Sequence, residues 1–180
     1  MAEKEYAFGE VLISEEELSE SIAALGRQIT EDYAGEAVLM IGILKGSVPF
    51  LAELIRRIDL DVQIDFMSVS SYGASTKSSG VVRILKDLDS GIEGRNVIIV
   101  EDIVDSGLTL QYLKEYLGGR KPKSLRICTL LDKPAGRRVE LEPDYKCFTV
   151  GDQFIVGFGL DYDQKYRNLP YISCLVEKDS

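Results

Sequence analysis

The chain alternates amphipathic segments with short apolar runs, and the spacing of the apolar positions predicts its elements. Leu18, Ile22, Leu25 and Ile29 repeat at helical spacing, which predicts a helix that ends before Gly35. Apolar or alternating runs bounded by turn residues are typical of strands, and continuous apolar runs suit strands buried on both faces. Such runs cover Ala37–Ile43, Val62–Ser70, Val81–Leu85, Asn96–Glu101, Leu125–Leu131, Val150–Leu160 and Tyr171–Val176.

Capping and turn residues at the ends of the segments predict where the helices begin and end. Ser14 and Glu17 have the spacing of a capping box at the start of the first helix. Pro49 suits the first turn of a second helix that reaches about Ile58, and we expect a third helix over about Gly107–Leu117. Strands that alternate with helices imply an α/β fold with a mainly parallel, twisted sheet flanked by helices.

The length of the chain limits the number of domains that it can form. A chain of 180 residues is most simply one domain, spanning residues 1–180. We expect a core from about residue 35 to 150 and a small hood lobe formed by about residues 1–13 and 151–180. The hood should lie above the carboxyl edge of the sheet.

The segment Ile98–Thr109, which reads IIVEDIVDSGLT, combines acidic residues with a short turn. Glu101 and Asp102 follow the apolar run, at the end of a parallel strand where open α/β sheets bind ligands. The next residues open a helix and aim backbone N–H groups and two hydroxyls at one point, which suits a bound phosphate. These residues are Asp105, Ser106, Gly107, Leu108 and Thr109.

A plainer interpretation is a strand, turn and helix whose aspartates only cap the helix. One cap needs one carboxylate, whereas this segment places Glu101, Asp102 and Asp105 within five residues. Three such acids repel one another unless a cation lies among them. The pattern therefore favours a ligand site.

Composition narrows the chemistry. The chain contains no histidine, which excludes Ser-His-Asp and Cys-His catalysis and the common zinc sites. Carboxylates, lysine, arginine, tyrosine, backbone dipoles or an oxygen-bound metal must then do any chemistry, and Mg²⁺ suits that inventory. The net charge of −9 argues against nucleic acid as a partner, because nucleic-acid binding needs a basic face.

The same sequence gives expectations on compartment. The longest apolar stretch, Ala37–Leu44, is too short to span a bilayer, and the amino terminus lacks the features of a secretory signal. Cys128, Cys147 and Cys174 are odd in number and show no metal spacing. We therefore expect reduced thiols in a cytoplasmic protein with no membrane partner.

Ile98–Thr109 resembles the 5-phosphoribosyl-1-pyrophosphate (PRPP) binding motif of the purine and pyrimidine phosphoribosyltransferases. That motif is a hydrophobic strand, two acidic residues, two apolar residues and D-(S/T)-G-x-T. Other segments follow in the order expected of the hypoxanthine-guanine group, so the resemblance covers nearly the whole chain. They are Ile13–Glu17, Leu44–Gly46, Ser71–Gly73, Leu131–Pro134 and Asp152–Arg167.

The resemblance implies the type I phosphoribosyltransferase fold and an enzyme of purine salvage. Such an enzyme transfers the phosphoribosyl group of PRPP to N9 of hypoxanthine or guanine, giving IMP or GMP and pyrophosphate, with Mg²⁺ as cofactor. The tail Phe154–Tyr162 is similar to the 6-oxopurine subgroup and unlike the orotate, uracil or adenine enzymes. The family usually forms homodimers or homotetramers.

By the same resemblance, Glu101 and Asp102 lie near the ribose hydroxyls, directly or through Mg²⁺. Asp105 faces N7 of the purine as general base or proton relay. The segment from Asp105 to Thr109 holds the 5′-phosphate, and Leu108 contributes its N–H there whatever its side chain.

Pyrophosphate binding is implied for Lys45 and Gly46, in a loop where the family uses a cis peptide, and for Arg167. Taken alone, Lys45 also fits an ordinary solvated turn. Ser71 and Tyr72 resemble the start of a lid that shields the reacting sugar from water. An ordinary surface loop would have the same composition.

Purine recognition is implied for four residues. Lys133 only donates hydrogen bonds, so it suits the exocyclic oxygen of hypoxanthine or guanine and not the amino group of adenine. Phe154 stacks on the purine, with a core aromatic as the alternative. The backbone carbonyls of Ile155 and Asp161 accept from a 2-amino group, and Asp161 also coordinates a second Mg²⁺.

Two other classes of protein compete with the enzyme. A non-catalytic, PRPP-sensing regulator that binds RNA would keep the phosphate motif but needs a basic face, which a net charge of −9 disfavours. A phospho-acceptor receiver domain has its acidic pair near the amino terminus and no use for the phosphate turn. Neither explains Lys133 together with Phe154–Asp161, and the sequence leaves the preference among hypoxanthine, guanine and xanthine open.

Overall fold

The computed structural model describes residues 6–71 and 82–177. Three helices are present in these ranges, together with a 3₁₀ turn at Pro134–Gly136. The helices are α1 Glu15–Asp32, α2 Val48–Ile55 and α3 Leu108–Gly118. The strands are β1 Tyr6–Ile13, β2 Val38–Leu44, β3 Val62–Ser71, β4 Val82–Lys86, β5 Asn96–Val104, β6 Ser124–Asp132, β7 Tyr145–Thr149, β8 Phe154–Val156 and β9 Ile172–Glu177.

A six-stranded sheet forms the centre of the molecule, in the order β4-β3-β2-β5-β6-β7. Every pairing in it is parallel except that of β3 with the edge strand β4. Leu39–Ile43 of β2 and Val97–Val100 of β5 are buried on both faces, as their apolar runs predict. The mainly parallel α/β fold is therefore confirmed.

Helices cover both faces of this sheet and bury one apolar cluster on each side. On one face Ile22 of α1 and Phe50 of α2 pack against the sheet, and both side chains are fully buried. On the other face Leu113 and Leu117 of α3 do the same. The central strands are thereby fixed from both sides, and their carboxyl ends become a rigid support for the loops that follow.

The two ends of the chain form a second, antiparallel sheet in the order β1-β9-β8. Tyr6 lies opposite Glu177 in this sheet, and Ile155 lies opposite Cys174. The expected small lobe built from the terminal segments is thus present. The residue limits of core and hood stay a prediction.

The ends of the predicted helices are close to those observed. The capping box is confirmed, because Glu17 N–H donates to Ser14 Oγ (3.2 Å) and Ser14 N–H donates to Glu17 Oε2 (2.8 Å). The second helix ends at Ile55 rather than Ile58, since Arg57 N–H already turns back to Leu54 O (2.9 Å). No helix of the described ranges is both long and apolar enough to cross a membrane.

Strand β5 is longer than its apolar run predicts. It continues to Val104 because its pairing with β6 continues, with Ile103 opposite Leu131 and Val104 opposite Asp132. Glu101 and Asp102 therefore lie inside the last part of the strand and not after it. The prediction that the strand ends at Glu101 is wrong.

The strand prediction near the carboxyl terminus is also wrong in extent. Within Val150–Leu160 only Phe154–Val156 is a strand, since the chain turns at Gly157, where φ is +103°. The edge strand β7 at Tyr145–Thr149 was not predicted, because its exposed and half-buried positions give no apolar run. Strand β1 was missed for the same reason, since most of its residues are exposed or half-buried.

Candidate active site

The end of β5 and the first turn of α3 enclose a cavity of about 190 Å³. The predicted acidic residues line this cavity together with the turn predicted to bind phosphate, Asp105–Thr109, which we call the phosphate turn. The structure therefore brings these residues to one place. The lining residues that were predicted are Glu101, Asp102, Asp105, Ser106, Gly107 and Thr109. Leu108 begins α3 at the same turn.

Glu101 and Asp102 form a tightly coupled pair of carboxyl groups. Burial raises the pKa of Glu101 well above its ordinary value, and the adjacent Asp102 raises it further. Burial also raises the pKa of Asp102, against the opposing effects of hydrogen bonds with Glu101 and the Ile103 N–H and of the Arg167 charge. The pair is thus costly to ionise, and a cation placed between the two groups would lower that cost.

The phosphate turn depends on Gly107. Its φ of +80° is a left-handed conformation that favours glycine. A Cβ there would lie 2.8 Å from Val139 Cγ2 and 3.0 Å from Arg137 Cδ, so space also excludes a side chain. Gly107 has no side chain to cap α3, and of the first N–H groups that of Leu108 donates to Ser106 Oγ at a long 3.4 Å. The first turn therefore presents N–H groups to an anion at the positive end of the helix dipole.

The loop after β2 reaches the acidic pair through its backbone. The Leu44–Lys45 peptide bond is cis, which locates the cis bond of this loop one residue before the Lys45–Gly46 bond. A Cβ on Gly46 would lie only 1.7 Å from Asp102 Oδ2. Lys45 is exposed, and its Nζ donates to Gln164 Oε1 (3.2 Å) in the segment Asp152–Arg167.

Arg167 lies in the same group of contacts. Its guanidinium pairs with Asp161, with Nη2 at 3.0 Å from Oδ1, and Nη1 donates to Gly159 O (2.7 Å). Gln164 connects it to Lys45, because Gln164 Oε1 also accepts from Arg167 Nη2 (3.4 Å). Sequence reasoning missed Gln164, and its only signal was its place inside the segment Asp152–Arg167.

Lys133 is held next to the cavity by both backbone and side chain. Its N–H donates to Val104 O (2.9 Å), which fixes it to the end of β5. Its Nζ donates to Gln153 O (3.2 Å) and pairs with Asp152 Oδ1 (3.2 Å). The side chain is 13% exposed whereas that of Asp152 is 80% exposed, so the lysine has a partner that solvent can easily replace.

Phe154 is an exposed aromatic, with 45% of its surface accessible, and is therefore not a core residue. Its ring lies 5.6 Å from that of Tyr162, edge to face, and 6.1 Å from that of Tyr6. Ile155, the next residue of β8, is buried. The Tyr6 ring is stacked on Phe154, with 28° between the two planes, and the exposed part of the Phe154 ring provides a stacking surface for a planar ligand.

The remaining predicted residues concern the lid and the metal. Ser71 ends β3, whereas Tyr72 lies outside the described residues, so the lid stays a prediction. Among the described residues no group of three or more acidic, cysteine or histidine side chains can hold a metal alone. Mg²⁺ needs fewer protein ligands than that, because it keeps waters and binds substrate phosphates.

A larger cavity of about 490 Å³ lies at the opposite, amino edge of the sheet. Its polar side chains are bonded to one another: Lys123 Nζ lies 2.6 Å from Glu36 Oε2, and Arg95 Nη2 lies 2.6 Å from Gln63 Oε1. The acidic pair, the phosphate turn and Lys133 all lie at the carboxyl edge. The smaller cavity is therefore the candidate active site.

A mainly parallel sheet whose central strand ends in paired acids and a turn suited to phosphate is typical of the phosphoribosyltransferases. Residues 13–163 match the family model of the phosphoribosyl transferase domain, and the chain belongs to the phosphoribosyltransferase family.

Within that family, the chain is similar to the hypoxanthine-guanine group. The chain is 55% identical over 168 residues to a hypoxanthine-guanine phosphoribosyltransferase of Streptococcus thermophilus and 56% identical over 167 residues to that of Streptococcus mutans, with 93% of each chain covered. A crystal structure of the Bacillus anthracis hypoxanthine-guanine phosphoribosyltransferase is 52% identical and superimposes with a TM-score of 0.91, covering 94% of this chain and 100% of that one. A Trypanosoma cruzi hypoxanthine phosphoribosyltransferase, solved as a ternary substrates complex, is 40% identical with a TM-score of 0.88 and 96% of both chains covered.

The close approach of Gly46 to Asp102 yields a prediction. Gly46→Ala should displace either the loop or the carboxylate, and we expect phosphoribosyltransferase turnover to fall by about tenfold or more, since small misplacements in an active site are costly. Steady-state kinetics and a thermal melt would measure the effect. Gly91→Ala is the control, because a Cβ at Gly91 meets no atom within 4 Å. Equal activity of the two variants would show that the Gly46 approach does not matter for catalysis.

Proposed function

We propose that the protein is a purine-salvage enzyme that makes IMP or GMP and pyrophosphate from PRPP and hypoxanthine or guanine. One observation carries the proposal: the acidic pair and the phosphate turn line a single cavity at the carboxyl edge of the sheet, and Lys133 is hydrogen-bonded to Val104 of the cavity wall. The names of the relatives support the same activity, and no comparison points to a PRPP-sensing regulator.

The reaction requires that PRPP be held at both of its ends. The N–H groups and hydroxyls from Asp105 to Thr109 bind the 5′-phosphate at the start of α3. Lys45, the Gly46 backbone and Arg167 bind the pyrophosphate group, and the lysine–glutamine–arginine contacts support this assignment. The ribose lies between them, beside Glu101 and Asp102.

Asp105 handles the proton of the base. N9 of the purine attacks C1′ of the ribose, the bond from C1′ to the pyrophosphate oxygen breaks, and the N7 proton of the base passes to the Asp105 carboxylate. The sugar carbon is oxocarbenium-like in the transition state, as in glycoside hydrolysis, so nearby carboxylates stabilise it. The side chain of Asp105 is exposed at the cavity, which gives it access to the base.

The base is selected by Lys133 and stacked on Phe154. Lys133 Nζ donates to the 6-oxygen after leaving Asp152, an exposed partner. The backbone carbonyls of Ile155 and Asp161 accept from the 2-amino group of guanine. The exposed ring of Phe154 supports its role as the stacking surface.

The chemistry of the acidic pair fits Mg²⁺. Glu101 and Asp102 would hold it, since two desolvated carboxylates with raised pKa values favour a hard cation at that point. When bound, the metal neutralises charge on the pyrophosphate and orients the ribose. Asp161 would hold a second Mg²⁺ after exchanging its bonds to Arg167 and the Gln164 N–H (2.8 Å).

The proposal extends to the setting of the enzyme. The segment that starts at Ser71 and Tyr72 acts as the lid that excludes water. The three free thiols are typical of a reducing compartment, which supports a cytoplasmic location. We propose a homodimer or homotetramer, by analogy with the family alone.

Turnover with PRPP and Mg²⁺ tests the proposed function directly. We expect hypoxanthine or guanine to be converted with release of pyrophosphate, adenine to be inert, and EDTA to abolish the reaction. Chromatography of the nucleotide products measures this, with xanthine included to define the preference at position 2. PRPP binding without turnover of any base would contradict the enzyme and indicate a regulator.

Asp105→Asn tests the general base. The amide cannot accept the N7 proton, so we expect kcat to fall by about 10²–10⁴-fold while KM for PRPP changes little. Steady-state kinetics with both substrates varied would measure the split. Normal turnover in this variant would remove the role assigned to Asp105.

Lys133→Ala tests the reading of the 6-oxygen. Loss of a charge-assisted hydrogen bond should lower kcat/KM for hypoxanthine by about 10–100-fold and narrow the gap to adenine. Lys114→Ala, which removes an exposed lysine of α3, is the matched control. Unchanged preference in Lys133→Ala would show that another group reads the oxygen.

A further inference from the structure

The turn that follows β6 packs directly behind the phosphate turn. Lys133 N–H donates to Val104 O (2.9 Å), and Arg138 N–H donates to Ser106 O (2.9 Å). The chain between these two bonds contains the 3₁₀ turn Pro134–Gly136 and Arg137. The segment Lys133–Arg138 and the phosphate turn thus form one layer that is held together by backbone hydrogen bonds.

Arg137 lies at the centre of that layer, with only 11% of its side chain exposed. Its Nε donates to Asp105 O (3.1 Å), and Nη2 donates to Val104 O (3.5 Å). The same Nη2 pairs with the Asp132 carboxylate, and Nη1 donates to Leu141 O. One guanidinium therefore holds the backbone of the proposed general base and the residue that precedes Lys133.

Asp132 is itself buried, with 2% of its side chain exposed. Its second oxygen accepts from Lys146 Nζ at 2.8 Å, so both oxygens have a cationic partner. A buried ion pair of this kind contributes little net stability relative to apolar packing, because both charges must be desolvated. The planar guanidinium does fix several acceptors in one geometry, which lysine does not.

The carboxylate of Asp105 rests on the same turn. A Cβ on Gly136 would lie 1.7 Å from Asp105 Oδ1, so the carboxylate packs against the bare Cα of Gly136. The backbone of Asp105 is held by Arg137 and its side chain is limited by Gly136. Both restraints come from a segment outside the motif that contains Asp105.

We propose that Arg137 is a positioning residue for the reaction, which sets the orientation of Asp105 relative to the base held by Lys133. The inference rests on the proposed function and assigns a role that lies outside the PRPP motif. Arg137 does not contact substrate in this role; it acts through Asp105, with Gly136 as the opposing surface.

Arg137→Lys is the first test, because it keeps a positive charge beside Asp132 but loses the bond from Nε to Asp105 O. We expect kcat to fall by about 10–100-fold while KM for PRPP changes by less than about threefold, since misorientation affects the chemical step most. Arg120→Lys is the matched control: it makes the same substitution in the Arg120–Asp87 pair (2.5 Å), which lies beyond the carboxyl end of α3 and away from the site. A normal kcat in Arg137→Lys, or an equal loss in both variants, would overturn the proposal.

Coupling to Asp105 separates positioning from a general structural effect. In the Asp105→Asn background, Arg137→Lys should lower kcat further by less than about threefold, because residues that act as a unit are not additive. A full, multiplicative loss in the double variant would mean that Arg137 acts independently of Asp105 and would contradict the proposal.

Gly136→Ala keeps the test decisive if Arg137→Lys does not fold. It preserves the contacts of Arg137 but pushes on Asp105 Oδ1, and we expect the same loss of kcat with KM for hypoxanthine nearly unchanged. A folded Gly136→Ala with normal kcat would overturn the proposal. Inactivity of the unmodified protein towards every base would instead contradict the proposed function, so the two failures are distinguishable.

Discussion

The desolvation of two adjacent carboxyl groups at the end of β5 is the constraint on which the site depends. Glu101 and Asp102 lie inside the strand because pairing with β6 continues past them. Both side chains are half-buried at the wall of the cavity, and this burial raises their pKa values. Ionising both carboxyl groups at this strand end is unfavourable in the protein alone, and a cationic or hydroxyl-rich ligand would make it less so.

Three loops meet around these acids through glycines and not through side chains. Gly46 approaches Asp102, Gly136 approaches Asp105, and a Cβ on Gly159 would lie 2.0 Å from Gly46 O. Gly159 also has a φ of +103°, which favours glycine on conformational grounds. Because bare backbone fills the space between the loops, the carboxylates and N–H groups can point at the same small cavity.

A feature of the fold or of the site could be predicted from the sequence where neighbouring residues encode it. The apolar runs of β2, β5 and β6, the capping box at Ser14 and the acidic strand end are local patterns, and the structure agrees with them to within a few residues. The edge strands β1 and β7 carry no such run and were missed. The contacts of Gln164 with Lys45, of Asp152 with Lys133 and of Arg137 with Asp105 join residues far apart in sequence, so no spacing rule predicts them.

Lys133 and Arg167 each pair with a carboxylate of the protein, and the two carboxylates differ in how far they are exposed to solvent. Lys133 pairs with Asp152, which is 80% exposed, so solvent screens that pair and a base displaces it at small cost. Arg167 pairs with Asp161 where both side chains are about one-quarter exposed, at 27% and 26%, and adds a bond to Gly159 O. Its release needs a ligand with more charge than a purine, and a pyrophosphate group has it. Under the proposed function, the screened pair of Lys133 therefore yields readily to the purine base, whereas the contacts of Arg167 yield only to the charged pyrophosphate group.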